Sequence, residues 1–284
     1  MKPCISQATT LKNPFEADPA VYRGAAWTAV EIWLTKLETF LQDHTPADAR
    51  ALLQSNGLKP VAAASQGGLL VSQGAQREAH WDHFRSRLAL LQYLAVPTLV
   101  VTPDFVRQPS IEDYARAAAG LGEAAGLASS FGVKIALEFQ KASPLCSCLE
   151  TALALIAQSG STNAGVCFDV FHYYTGPSKF EDLAYLTPRN LAWVQMCDVS
   201  GTPRELAGDG DRILPGEGDF QLEPIIDHFR RIGYDGYISL EVLNPHLWQV
   251  APDRVADLGH QALLRVLGQR PSPPQPSEAQ GGHS

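Results

Sequence analysis

Residues 111–138 read IEDYARAAAGLGEAAGLASSFGVKIALE. Apolar and small residues recur at helical spacing from Ile111 to Phe131, Gly132 stands where a left-handed helix cap belongs, and the β-prone run Lys134–Glu138 follows. The same junction recurs elsewhere: Asn56-Gly57 precedes one candidate strand and Ile232-Gly233 another. Working outward gives eight strands, Cys4–Ala8, Ala29–Trp33, Lys59–Ala64, Thr98–Val101, Lys134–Glu138, Ala164–Phe168, Leu191–Met196 and Tyr237–Leu240. Between them lie helical segments at Ala20–Ala25, Leu34–Asp43, Arg77–Leu94, Ile111–Phe131, Leu145–Ser159 and Leu222–Ile232. Short strands alternating with longer helices predict an α/β protein with a parallel sheet covered by helices, and eight strands close naturally as a single (β/α)8 TIM barrel over residues 1–269. An open doubly wound sheet is disfavoured, because no Gly-rich turn of the dinucleotide-binding type follows an early strand. The Pro/Ser/Gly-rich tail, 270–284, has no apolar periodicity and is expected to be disordered.

With 284 residues, 45% hydrophobic and 18% charged, the chain has material for a substantial core. A net charge of −8, from 22 Lys and Arg against 30 Asp and Glu, disfavours nucleic acid as a partner. The N-terminal MKPCISQATTLKNPF lacks a long apolar stretch and no later run approaches ~18 apolar residues, so neither a signal peptide nor a membrane anchor is expected and a cytoplasmic location is. Five cysteines make an odd count, and Cys146-Ser-Cys148 lacks zinc or thioredoxin spacing, which predicts free thiols.

Polar residues stand at the carboxyl ends of the last four strands, where a barrel builds its active site. Glu138 ends KIALE, Asp169 ends GVCFD, Gln195 interrupts AWVQM and Glu241 ends YISLE. Each alone has a plain structural use, such as capping the next helix or pairing with an arginine. Together they crowd negative charge into one place, and a divalent cation is the simplest neutraliser. Three carboxylates and an amide carbonyl are hard oxygen donors suited to Mn²⁺ or Mg²⁺, with Co²⁺, Ni²⁺ and Zn²⁺ also admissible. Earlier strand ends offer Glu31, Trp33, Gln66 and Thr102 as pocket residues, and Trp33 and Trp248 as apolar walls for the C–H faces of a ring. The His-rich EAHWDH at Glu78–His83 lacks His-Glu-x-x-His spacing and reads as a solvated helix face.

The strings EFQ at Glu138, FDVFH at Asp169–His172, VQMCD at Gln195–Asp198, DRILPGEGDF at Asp211–Phe220 and GYDGYISLEVLNPHLW at Gly233–Trp248 resemble the sugar phosphate isomerase/epimerase family of xylose-isomerase-like barrels. Within it they are most similar to inosose isomerases and less so to bacterial 3-dehydroshikimate dehydratases. The resemblance is good over about residues 134–250 and weak before that. It implies a metal held by Glu138, Asp169, Gln195 and Glu241, with Glu138 and Glu241 exchanging a proton, His172 touching substrate or shuttling a proton, and Arg212 orienting substrate. Gln195 departs from the histidine usual in the isomerases and matches the dehydratases.

The implied reaction is isomerisation or epimerisation of a keto-sugar or inosose through a metal-stabilised enediolate. The alternative is a metal-dependent lyase, a 3-dehydroshikimate dehydratase or a β-eliminase of keto-glycosides, with His172 as the acid. An abasic-site endonuclease on this barrel is disfavoured by the acidic balance and the histidine-poor mouth, and a catalytically silent barrel by the intact carboxylate set. The expected partner is a small polyhydroxylated carbonyl compound; a homo-oligomer is compatible with the sequence, which fixes neither substrate, stereochemistry nor oligomeric state.

Overall fold

The computed structural model describes residues 1–270, so the expectation of a disordered tail lies, from Pro271 on, outside the described residues. Eight parallel strands, β1 (Lys2–Ser6), β2 (Ala29–Trp33), β3 (Lys59–Gln66), β4 (Thr98–Val101), β5 (Lys134–Glu138), β6 (Ala164–Asp169), β7 (Leu191–Met196) and β8 (Tyr237–Leu240), pair in sequence order. β8 closes on β1 with Ile238 opposite Pro3 and Leu240 opposite Ile5. The helices are α1 (Asp18–Gly24), α2 (Leu34–Phe40), α3 (Pro46–Ser55), α4 (Gly74–Leu94), α5 (Ile111–Ser130), α6 (Leu149–Gln158), α7 (Val170–Thr175), α8 (Leu222–Arg231) and α9 (Pro252–Val266). This is the expected (β/α)8 barrel. No helix among the described residues is long and apolar enough to cross a membrane, and all five cysteines are free.

The deciding stretch folds as its residues direct. Ser110 and Asp113 form a reciprocal cap at the start of α5. The helix lays Ala117, Ala118, Gly120, Leu121, Ala124, Ala125 and Ala128 inward, and Gly120 passes so close to β3's following loop that an added Cβ would lie 2.6 Å from the Leu69 carbonyl oxygen. Gly132 then turns the chain at φ +70° into β5. Gly57 and Gly233 do the same before β3 and β8, at φ +67° and +76°.

Three strands differ from expectation at their ends, β3 by running two residues past Ala64 to Gln66. β1 begins at Lys2 and stops at Ser6, just before Gln7, whose backbone N–H still donates to the Glu31 carbonyl at 3.0 Å; β6 extends one residue to Asp169, which pairs with Gln195 of β7. Helices α3, α7 and α9 were not among the expected segments.

Strand alternation sorts the residues into two populations. One set, including Ile5, Ile32, Leu99, Ile135, Phe168 and Val194, packs outward under the helices. The other lines the lumen: Cys4, Ala29, Ala62, Ala64, Val100, Ala136, Cys167 and Trp193. Two residues further along their strands, the same inward face presents Glu31, Glu138, Asp169, Gln195 and Glu241, so a lumen filled with small apolar groups turns charged at its carboxyl end.

The loop after β1 is fixed by a buried ion pair. Asp18 Oδ2 lies 2.5 Å from Lys36 Nζ, with side chains 0% and 8% exposed. Gln7 Nε2 donates to the same carboxylate at 2.9 Å, Thr10 Oγ1 at 2.9 Å and Asn13 Nδ2 at 2.8 Å. Gln7 Oε1 accepts from the backbone N–H of Trp33 at 3.0 Å. Deleting one charge of such a pair strands the other in a dry site. Lys36→Met is therefore expected to lower unfolding free energy by about 3–5 kcal/mol in denaturant titrations, with Asp18→Leu/Lys36→Met recovering much of the loss. A change below about 1 kcal/mol for Lys36→Met, in the range of an exposed pair, would show that packing alone holds this loop.

Candidate active site

Adjacent strands β5 to β8 deliver Glu138, Asp169, Gln195 and Glu241 to one side of the mouth. A cavity of about 230 Å³ opens there, lined by Trp33, Thr102, Glu138, Gln140, His172, Gln195, Asp209, Arg212 and Glu241, with Ala64, Ser65, Val100 and Leu243 completing its wall.

Asp169 serves two ends. Its Oδ1 accepts the backbone N–H of Phe171 at 2.7 Å and so caps α7. That short helix carries His172, whose Nε2 lies 3.7 Å from Asp169 Oδ2 and 3.9 Å from Glu138 Oε1. One donor atom each of Glu138, Asp169 and His172 falls within a 4.8 Å group.

Arg212 is the internal counter-charge. Its guanidinium is 1% exposed, with Nη2 2.8 Å from Asp169 Oδ2 and Nη1 3.2 Å from Glu241 Oε2. Asp209 Oδ1 accepts from Nε at 3.2 Å and from Nη2 at 2.9 Å. The Phe171 ring lies under the guanidinium carbon, 4.4 Å from its centroid. Burial disfavours the charge, but Asp169, Glu241 and Asp209 hold the arginine protonated.

One cation does not neutralise the set. Burial, followed by the charge of Asp169, pushes the Glu138 carboxyl up to about 8. Burial pushes Glu31 up to about 7, against hydrogen bonds from Ser239 and Gln195, and raises Glu241 well above the usual carboxylate range despite Arg212. Burial lowers His172, so its imidazole is neutral at pH 7. Asp169 Oδ2 has the 2.8 Å ion pair with Arg212 and no further hydrogen-bond partner, and His172 Nδ1 also lacks one. Buried carboxylates that retain protons, beside a carboxylate oxygen with that single partner and a neutral imidazole, fit a divalent ion.

The structure brings Glu138, Asp169, Gln195, Glu241, His172, Arg212 and Trp33 to this mouth. It places four expected contacts differently. Gln195 turns its Nε2, not its carbonyl oxygen, toward the carboxylates, donating to Glu31 Oε1 at 3.0 Å and Glu241 Oε1 at 2.8 Å, while its Oε1 accepts from the Cys167 thiol at 3.1 Å. Glu31 is buried beneath the cavity with both oxygens engaged, one by Gln195 and the other by Ser239 Oγ at 2.5 Å. Gln66 faces away, its amide bound to Arg87 of α4 at 3.1 Å and to the Gly67 carbonyl at 2.6 Å, because the β3–β4 register shifts between Ala63 and Gln66. Trp248 binds the Ala8 carbonyl at 3.0 Å and lines a separate cleft.

Sequence reasoning passed over Gln140, which donates to Glu138 Oε2 at 2.8 Å, and Asp209. Both lay within reach of simple spacing: Gln140 is two residues past Glu138, and Asp209 is three before Arg212. The EAHWDH stretch lies on α4, where His83 meets Glu38 at the surface, as a solvated face.

A closed parallel barrel with a polar cavity at the carboxyl ends of its strands defines a (β/α)8 protein with a mouth-end site. The chain belongs to the xylose isomerase-like TIM barrel family, whose model matches residues 21–266. It is similar to an inosose isomerase of Halalkalibacterium halodurans, 26% identical over 94% of this chain and 96% of that enzyme. A 3-dehydroshikimate dehydratase of Pseudomonas aeruginosa is 26% identical over 88% of this chain but only 38% of its own length. The solved structure of the IOLI protein with a binding zinc atom shares the fold, with a TM-score of 0.87 and 24% identity over 94% of this chain and 98% of that one.

The raised carboxyls set a pH dependence. Glu138 and Glu31 hold protons more tightly folded than unfolded, so their contribution to stability is full below about pH 4.5 and is lost as pH rises toward 7 and 8. An ion bound among them displaces those protons. Calorimetric titration of chelator-treated protein with Mn²⁺ at pH 7, in buffers of different ionisation heat, is expected to show net proton release, reduced in Glu138→Gln. Binding with no proton release would contradict the protonated carboxyls.

Proposed function

We propose that this protein is a divalent-metal-dependent isomerase or epimerase of a keto-sugar or inosose. The observation that carries the reading is that two buried carboxylates, Glu138 from β5 and Glu241 after β8, face one small cavity from strands three places apart. Such a pair flanks a bound ring, one side able to take a proton and the other to return one. The similarity to inosose isomerases over nearly the whole chain supports the same reaction class.

Glu138, Asp169 and Glu241 would hold the ion; Gln195 joins them only when its amide turns over to present Oε1. The ion's chemistry is to draw off negative charge from adjacent substrate oxygens as a C–H proton leaves. With an ion bound, Glu138 would lose the proton it otherwise retains and stand as the carboxylate able to take the C–H proton, with Glu241 on the other side to return one. Gln140 fixes the orientation of Glu138. Arg212, locked by Asp209 and Phe171, directs substrate hydroxyls, and neutral His172 offers a donor or acceptor on the same wall. Trp33 supplies an apolar face for ring C–H groups. Mn²⁺ or Mg²⁺ suits the oxygen-rich donor set.

A second reading, a lyase of dehydratase type, is favoured by Gln195 standing where the isomerase resemblance expects histidine, and by the similarity to the P. aeruginosa dehydratase. There His172, neutral at rest, would first take up a proton, such as the one removed from the substrate carbon, and then pass it to the departing oxygen.

In D₂O with Mn²⁺ and scyllo-inosose, the expected product carries deuterium and is otherwise unchanged in mass. EDTA abolishes this exchange, and Glu138→Gln and Glu241→Gln each lower kcat/KM by ~10²–10⁴-fold. Loss of water from 3-dehydroshikimate, with no exchange into inososes or ketoses, would move the assignment to the lyase. Full turnover in EDTA would overturn both.

A further inference from the structure

We propose that the cleft outside Trp33 is a subsite for a second sugar ring, so that the substrate is a glycosylated ketose or inosose; this rests on the keto-sugar reading above. The mouth cavity, at about 230 Å³, is smaller than the roughly 300–1,000 Å³ usual for ligand sites and suits one compact ring. A larger cleft of about 540 Å³ lies between the loop after β1 and helix α2. Trp33 lines both spaces and so belongs to the partition they share.

The chemistry of the cleft matches a sugar. Its accessible aromatic lining is half-buried Trp33 and exposed His44, which stacks on Phe40 at 4.1 Å with planes 6° apart, while Phe40 and Phe15, 5.1 Å apart, are buried beneath. Its rim is polar, with Lys12, Glu16, Thr35 and Asp43. A pyranose presents an apolar C–H face and a rim of hydroxyls, the complement of this arrangement.

The cleft is also built rather than incidental. The buried Asp18–Lys36 pair ties the loop wall to the α2 wall, since Thr10 and Asn13 of the loop and Lys36 of the helix converge on one carboxylate. Gln7 binds that carboxylate through Nε2 and the Trp33 backbone through Oε1, which joins the partition to both walls. A buried ion pair is a poor source of net stability compared with apolar packing, so its effect here is to fix the spacing between walls.

The test compares fructose and scyllo-inosose, each one ring, with lactulose and isomaltulose, ketoses carrying a second sugar. Saturation-transfer NMR on the Mg²⁺-loaded protein reads which ring contacts the protein whether or not turnover occurs, and deuterium exchange with Mn²⁺ reads chemistry. Thr35→Trp, at an exposed rim position outside the catalytic machinery, fills the cleft. At least one two-ring ketose is expected to show saturation of its non-keto ring and a kcat/KM for exchange at least tenfold above fructose. Thr35→Trp should abolish both gains and leave the one-ring substrates within about twofold. Saturation confined to the keto ring, or equal effects of Thr35→Trp on one-ring and two-ring compounds, would overturn the subsite. Exchange with none of the four compounds, while lactulose still binds through its galactosyl ring, would defeat the keto-sugar reaction and leave the subsite standing.

Discussion

Four carboxylates share one buried arginine at the mouth of this barrel. Glu31, Glu138, Asp169 and Glu241 are each 5% exposed or less, and Arg212, at 1%, is the one buried cation among the described residues that line the mouth cavity. Isolated charges in such surroundings are strongly disfavoured, so Glu138 and Glu31 retain protons, and Asp169 Oδ2 has the Arg212 ion pair at 2.8 Å and nothing more. Both are features of a site completed by an external cation. The same imbalance leaves carboxyl groups that exchange protons near neutral pH, Glu138 among them, on the wall of the cavity.

The fold makes this concentration of charge tolerable. Lower in the lumen the inward residues are small and apolar, Ala62, Ala136 and Cys167 among them, so the charged layer sits on a packed floor. Each carboxylate comes from a different rigid strand, and the spacing between them is set by barrel pairing rather than by loops. Supporting contacts remove the remaining freedom. Gln195 bridges Glu31 and Glu241 through one nitrogen, Asp209 seats the guanidinium, and Asn244 Nδ2 ties the Arg212 backbone carbonyl at 2.8 Å. The turn through Gly216 is drawn in by Asp198, which accepts from the Gly216 and Phe220 backbone at 3.0 Å each.

The barrel was legible because its signals are local: helix periodicity, a glycine at positive φ, then a β-prone run, repeated around the chain. Helix α3 escaped because it is short, buries only Ala49 and Leu53, and starts on a Thr45–Asp48 capping box rather than a hydrophobic stripe. α7 escaped because its six residues are too few to show a period and its cap, Asp169, also ends a strand. Site residues at strand ends were readable for the same reason as the strands. What failed were statements about where side chains point across irregular backbone. Gln66 follows a shift in register and reaches Arg87 instead of the mouth, and Trp248 sits on a loop whose path is set by the Ala8 carbonyl. The orientation of the Gln195 amide depends on Glu31 and Cys167, 164 and 28 residues away in sequence, which no local pattern reports.

The most direct test of a cation completing this carboxylate set is a crystal structure of Mn²⁺-soaked protein with anomalous scattering recorded at the manganese edge. The account predicts one strong peak at the mouth, with oxygens of Glu138, Asp169 and Glu241 at about 2.0–2.2 Å. A mouth without anomalous density at saturating Mn²⁺, with Arg212 still alone between Asp169 and Glu241, would contradict it.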